Sequence, residues 1–202
     1  MRLICEAPHL EDYLSEDEIV DYSHPLLQET ICRLQSTEDS EIERVRKTFE
    51  FVRDTIHHSC DIQSVRVTCK ASEVLSFGEG LCYAKSHLLA ALLRAQGIPT
   101  GFCYQRLVAG STLAMGHSLH GLNAVYLSSL EKWIRLDARG NKPGVQSEFS
   151  TEEERLAYIV QPELDEIDYP IIYDRPHPVV VDALQTHTDC LVLSQHFLPE
   201  AL

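Results

Sequence analysis

The stretch ASEVLSFGEGLCYAKSHLLAALLRAQGIPTGFCY, residues 71–104, reads as a turn, a helix, a second turn and a strand. Gly78 and Gly80 punctuate a turn just before Leu81-Cys82. From Ala84 to Gln96 alanine and leucine dominate, with Ala84, Leu88, Ala91, Leu92 and Ala95 on one side. Gly97 is placed to cap that helix, and Pro99 just beyond prevents its continuation. Thr100–Leu107 then has the character of a strand. Cys82 therefore stands where a glycine-bracketed turn delivers the chain into a helix. Unpaired N–H groups and the positive end of the helix dipole favour a thiolate there. Helix N-termini are among the settings that lower a cysteine pKa. The plain alternative is a buried structural cysteine at a helix start.

Working outward, residues 1–36 form an irregular opening with Pro8 and Pro25, read as a strand and a short helix. Ile42, Val45, Phe49, Val52 and Ile56 recur at three- and four-residue intervals, which predicts a helix. Ser40 with Glu43 reads as a capping box at its start. Ser64–Cys69 alternates like a short strand. On the other side, His120–Leu127 and Lys132–Asp137 read as two strands, joined by Ser128-Ser129-Leu130-Glu131 in an antiparallel hairpin. Beyond Arg139–Gly144 the chain turns irregular. Its tail from His177 predicts one or two helices, with Val180, Ala183 and Leu184 on a shared face. Helices come first and an antiparallel sheet follows, which is an α+β plan.

Two further residues complete a chemical constellation. His120 opens its strand in phase with Leu122, Ala124 and Tyr126. Asp137 ends the next strand, and pairing through the short loop brings it beside His120 at the sheet end. A carboxylate there can accept the imidazole N–H, fix the tautomer and stabilise the charged ring. Taken singly, His120 and Asp137 are equally readable as a structural histidine and a turn-forming aspartate.

The three segments together resemble the transglutaminase-like superfamily. Residues 78–105 resemble its core signature: a Gly-x-Cys, an aliphatic helix ending in Arg-x-x-Gly-Ile-Pro, then a strand. HGLNAVYL, residues 120–127, resembles its His-x-x-x-x-Val-Tyr strand, and KWIRLDARGN, residues 132–141, its Trp-x-x-Leu-Asp element. The resemblance covers about residues 70–141. It implies Cys82 as nucleophile, His120 as general acid and base, and Asp137 as the orienting residue. It also implies a papain-like α+β fold, with the nucleophile helix packed on an antiparallel sheet. Leu122 and Ala124 stand where the family often places an aromatic residue and a Glu, so substrate identity does not carry over. One domain over residues 1–202 is expected, with flanks 1–40 and 145–202 wrapping the core or covering the cleft.

The implied chemistry is acyl transfer on an amide of a peptide, protein or small molecule, through a thioester and without a cofactor. Water as acceptor makes the enzyme a peptidase, amidase or deamidase; an amine makes it a cross-linking or conjugating enzyme. Hydrolysis is the expected outcome, since small members without added domains resemble hydrolases. The Arg-Gly-Gly signature that precedes the cysteine of arylamine N-acetyltransferases does not occur before Cys82. A non-catalytic binding module is the rival from another class, which the complete Cys, His and Asp set opposes. For the oxyanion, the backbone N–H of Cys82 is the expected donor, with Tyr83 and Gln105 as side-chain candidates.

Other histidines and cysteines are weighed against that site. His57, His58, Cys60 and Cys69 cluster locally, but they lack the second ligand pair of structural zinc. His57-His58 reads instead as a helix C-terminus where imidazoles meet carbonyls. His117 competes with His120 as base but is read as part of the loop extending Ala109–Gly116. His177, His187 and His196 fall in the tail, as surface or packing residues. Arg139 and Asn141 could line the cleft, Trp133 is read as a sheet anchor, and Arg94 as a structural contact on the polar side of its helix.

Composition narrows the partners. Seventeen basic residues face 31 acidic ones, for a net charge of −14, which repels phosphate backbones and anionic lipid and leaves nucleic acid and membrane poor partners. The opening residues are too polar for a secretory signal and no run approaches a membrane span. Seven cysteines, irregularly spaced and with no CxxC pair, are expected to be reduced in a cytoplasm, most as small buried hydrophobes.

Overall fold

The computed structural model describes residues 1–110 and 116–202. In chain order its elements are β1 (Ile4–Cys5), α1 (Pro25–Leu34), α2 (Glu41–Thr55), β2 (His57–His58), α3 (Ala71–Phe77), β3 (Glu79–Gly80) and α4 (Cys82–Arg94). β4 (Thr100–Val108), β5 (His117–Leu127), β6 (Lys132–Leu136), β7 (Ile167–Asp168), β8 (Ile171–Ile172), α5 (Pro178–Thr186) and α6 (Cys190–His196) follow. Helices precede an antiparallel sheet ordered β6-β5-β4-β7, which is the α+β plan the sequence predicts.

α4 is the centre of the molecule. Every residue from Tyr83 to Arg94 is buried, so its apolar character runs all round rather than along one stripe. It ends as the glycine predicts: Gly97 takes φ +73°, Ile98 N–H bonds Leu93 O at 3.1 Å, and Gly97 N–H bonds Arg94 O at 2.9 Å. On one side α4 packs on β4 and β5, where Asn123 Nδ2 donates to Ser86 O at 3.1 Å and Gly101 O at 3.2 Å. Gly121 allows the closest approach, because a Cβ there would lie 2.8 Å from Tyr83 Cδ1. On the other side stands α2, with Val45, Phe49 and Val52 buried. Ser40 Oγ accepts Glu43 N–H at 3.2 Å, whereas the Glu43 carboxylate pairs with Arg46, so only half of the capping box forms. Lys85, fully buried on α4, donates to Ile56 O at 2.5 Å and Arg53 O at 3.3 Å and so caps the C-terminus of α2.

The flanking segments join the same core. Ile19, Val20 and Leu27 pack in it from one end of the chain, and Val180, Leu184 and Leu193 from the other. β1 pairs with β8 in parallel, and Tyr13 donates to Ile172 O at 3.0 Å. Arg94 is buried, not on a polar face: its guanidinium reaches Ser15 O at 2.7 Å, Thr100 O at 2.6 Å and Asp174 O at 2.5 Å. Trp133 anchors its strand between Tyr13 and Tyr126, with ring centroids 5.0 and 5.5 Å away. His177 caps the start of α5 and meets the Tyr173 ring edge-on, centroids 5.3 Å apart.

Three expectations need correction. Ser64–Cys69 forms no strand; Val65 O instead accepts the Cys190 N–H at the start of α6. Residues 71–77, read as part of a turn, form α3, with the Glu73 carboxylate accepting the Cys69 and Lys70 N–H groups. β5 begins at His117 rather than His120, because Val108 and His117 extend the ladder with β4. The loop read over 109–116 lies partly outside the described residues. Among the described residues no helix is long and apolar enough to cross a membrane.

Candidate active site

Cys82 is the first residue of α4. Leu81 precedes it in extended conformation and offers no side-chain cap, so no side chain claims the N–H groups of the first turn. The thiol is half-buried in a cleft of about 770 Å³ that His58, His120, Arg139 and Tyr158 also line. β5 and β6 pair with Asn123 opposite Leu136, so Asp137, one residue past β6, arrives beside His120. His120 Nε2 and Asp137 Oδ2 are 2.7 Å apart, and both side chains are buried. With Nε2 committed to Asp137, Nδ1 is the ring nitrogen left for the thiol. The structure thus brings Cys82, His120 and Asp137 together.

Asp137 is held by more than the imidazole. Arg139 N–H donates to Oδ1 at 3.1 Å and Ala157 N–H to Oδ2 at 3.1 Å, so a fully buried carboxylate has three donors. Burial raises its pKa, but the charge and hydrogen bond of His120 and those two N–H groups outweigh it and hold the carboxyl below its usual range. Burial also works against charge on His120, yet Asp137 and Cys82 lift its pKa to about 10. For Cys82, burial pushes upward, while the charge of His120 and hydrogen bonding with His120 and His58 bring it down to about 6. Between those values the pair exists as thiolate and imidazolium. Tyr158 lies edge-on to His120, centroids 4.9 Å apart, and restricts the ring.

The side-chain candidates for an oxyanion donor do not face the thiol. The Tyr83 hydroxyl is committed to Leu119 O. Gln105 pairs in register with His120 but lines a neighbouring cavity with Arg135 and Asp168. His117 is not beside the thiol either; it bonds Leu164 O at 2.9 Å and Arg106. Arg139 does line the cleft, its guanidinium paired with Asp61, while Asn141 braces the turn by accepting Ser147 N–H at 2.8 Å.

His58 and Tyr158 are the site residues that sequence reasoning missed. His58 was expected to meet carbonyls at a helix end, but β2 pairs in parallel with β3 and turns it toward Cys82 and Cys60. Among the described residues no group of three or more His, Cys, Asp or Glu side chains is placed to hold a metal ion. The other cysteines vary: Cys69, Cys103 and Cys190 are buried, Cys60 is half-buried, and Cys5 and Cys32 are exposed. Burial pushes the Cys69 and Cys103 thiols up to about 12, so they are inert beside Cys82.

Comparison with known proteins bears on the family and the fold. The model of the transglutaminase-like superfamily matches residues 28–138, more than half of the chain. A solved structure from Cytophaga hutchinsonii, of a protein proposed to be a cysteine protease, shares the fold at a TM-score of 0.53 and 16% identity. The match covers 66% of this chain and 43% of that one. A solved structure of a TGase matches at a TM-score of 0.39 and 17% identity, over 66% of this chain and 34% of that one. The chain spans less than half the length of either. No curated protein matches it.

Proposed function

This chain belongs to the transglutaminase-like superfamily, and we propose that it is a cysteine-dependent acyl-transfer enzyme that hydrolyses amide bonds through a thioester on Cys82. The observation that carries the reading is the buried His120–Asp137 pair, 2.7 Å apart, beside a half-buried thiol in one cleft. In this reading Cys82 attacks the amide carbonyl carbon, and the C–S bond forms as the carbonyl electron pair moves to oxygen. The tetrahedral species collapses with loss of the C–N bond, and His120 passes its proton to the departing nitrogen. Water then enters, His120 takes its proton, and the thioester opens to the acid. Asp137 keeps Nε2–H of His120 bound throughout, so Nδ1 faces the chemistry. Water reaches an open cleft without a second binding site, so hydrolysis asks less of this geometry than transfer to an amine.

The test is the rate of alkylation by iodoacetamide against pH, with the labelled cysteine located by peptide mass. Labelling of Cys82 should rise through a midpoint near pH 6, far below the ordinary thiol value of about 8.5. That low midpoint should be lost in His120→Ala. Should Cys82 react no faster than the other cysteines, the protein is a binding module rather than an enzyme. Incorporation of a fluorescent primary amine into a glutamine-containing protein, with ammonia released but no glutamate formed, would replace hydrolysis by amine transfer.

A further inference from the structure

The triad leaves a second imidazole unused. His58 lines the same cleft as Cys82 and His120, and although burial opposes charge on its ring, the neighbouring Cys60 and Cys82 thiols favour the charged form. Its Nδ1 is buried without a conventional hydrogen-bond partner among the described residues. A buried ring nitrogen in that condition calls for an explanation. We propose that His58 is the side-chain donor that holds the oxyanion formed when Cys82 attacks a carbonyl carbon. The inference rests on the thiol-enzyme reading above and assigns a residue within it.

Position comes first. His57 pairs with Glu79 and His58 with Gly80 in the parallel bridge, fixed by His57 N–H to Gly78 O at 2.8 Å and Ser59 N–H to Gly80 O at 3.2 Å. Gly80 lies two residues before Cys82, so the turn that delivers the nucleophile also carries His58. That turn is tight, since a Cβ on Gly80 would lie 3.1 Å from both Ala84 Cβ and Thr68 Oγ1. Three other donors are committed elsewhere. His120 is bound to Asp137 and must move a proton, Tyr83 is committed to Leu119 O, and the Arg139 fork grips Asp61.

Charge movement supplies the reason. As the C–S bond forms, the carbonyl π pair moves to oxygen, so negative charge leaves sulfur and settles on an atom one carbon away. An N–H within reach of the thiolate can follow that charge with little movement. The backbone N–H of Cys82 is the second donor, since in the first turn of α4 it has no intrahelical carbonyl partner. His58 gives up no proton in the step. The pair returns from oxygen as the C–N bond breaks, and the leaving nitrogen takes its proton from His120.

Two reagents separate this role from support of the thiol. Iodoacetamide alkylates the thiolate at a tetrahedral carbon and builds no oxyanion, whereas p-nitrophenyl acetate acylates it through one. Both limiting rates are measured at a pH where the thiol is ionised in every variant. In His58→Phe, which keeps a ring but offers no N–H, acylation should fall about 10²–10³-fold while alkylation stays within about threefold. His58→Gln, which restores a donor, should recover acylation to within about tenfold of the parent. Acylation unchanged in His58→Phe overturns the proposal. So does an equal fall of both rates that His58→Gln does not relieve. Should His58→Phe not fold, His58→Ala measured with and without added imidazole gives the same discrimination, rescue of acylation alone being the expected result. A parent protein in which Cys82 reacts with neither reagent overturns the thiol-enzyme reading itself, and a reactive parent with indifferent His58 variants overturns the His58 assignment only.

Discussion

Replacing Asp137 by Asn keeps the side-chain volume and removes one buried charge from the line Cys82–His120–Asp137. The carboxylate now accepts three donors: His120 and Ala157 N–H on Oδ2, and Arg139 N–H on Oδ1. An amide has one acceptor oxygen. Placed at Oδ2, it leaves Nδ2 facing the Arg139 N–H; placed at Oδ1, it leaves Nδ2 facing Ala157 N–H and turns His120 to the other tautomer. Either arrangement loses the charge. Unit charges about 4 Å apart at an effective dielectric of about 20 interact by about 4 kcal/mol, or roughly 3 pKa units. The His120 value of about 10 would then fall to roughly 7, and the thiolate–imidazolium pair would lose its dominance at neutral pH. Acylation at pH 7 should drop about 10³-fold, within the range for an orienting carboxylate. The burst of p-nitrophenolate from p-nitrophenyl acetate reads the rate, and the pH profile of iodoacetamide labelling reads the thiol. Acylation within tenfold of the parent, with the labelling midpoint still near pH 6, would refute the orienting role of Asp137.

Three further outcomes follow from contacts already described. Gly121→Ala places a Cβ 2.8 Å from the Tyr83 ring and should cost about 1–3 kcal/mol in urea unfolding. It should also slow acylation, because Tyr83 follows Cys82; full activity at parental stability would contradict the packing. Arg94→Met strands the carbonyls of Ser15, Thr100 and Asp174 and should destabilise on the order of 3 kcal/mol, a value under 1 counting against the account. Asp61 is raised by burial but held far below the usual carboxylate range by Arg139 and Lys142. Its contribution is therefore present above the unfolded value of about 3.9 and lost as pH falls further. In Asp61→Asn the stability deficit measured at pH 7 should shrink by pH 3, and an equal deficit at both would assign the loss to packing.

The legible parts of this fold are those whose signal is local. Residues 41–55 announce a helix by the spacing of Val45, Phe49 and Val52, and Gly97 ends α4 through a conformation that favours glycine. The hairpin of β5 and β6 follows from two apolar runs and a short loop, which is why Asp137 could be set beside His120 from sequence. Ala71–Phe77 was harder, because its buried residues, Ala71, Ser72 and Val74, make no apolar stripe. The Lys70–Glu73 spacing was its one sequence signal. Two-residue pairings leave no periodicity at all. The bridge from His57-His58 to Glu79-Gly80 is such a pairing, and His58 was misread for that reason. Tyr158 lies in a stretch with neither helix nor strand, and only the fold brings it to His120.

The burial of α4 on every side has a consequence for time rather than geometry. Its amide hydrogens can exchange with solvent only when the whole molecule opens, whereas residues 156–160, without helix or strand, can open alone. His58 hangs on a two-residue bridge and belongs with the faster group. The thiol thus rides on the slowest part of the protein and its companions on quicker ones. On warming, labelling and acylation by Cys82 should fade several degrees before the far-UV signal of the helices, and cooling should restore them.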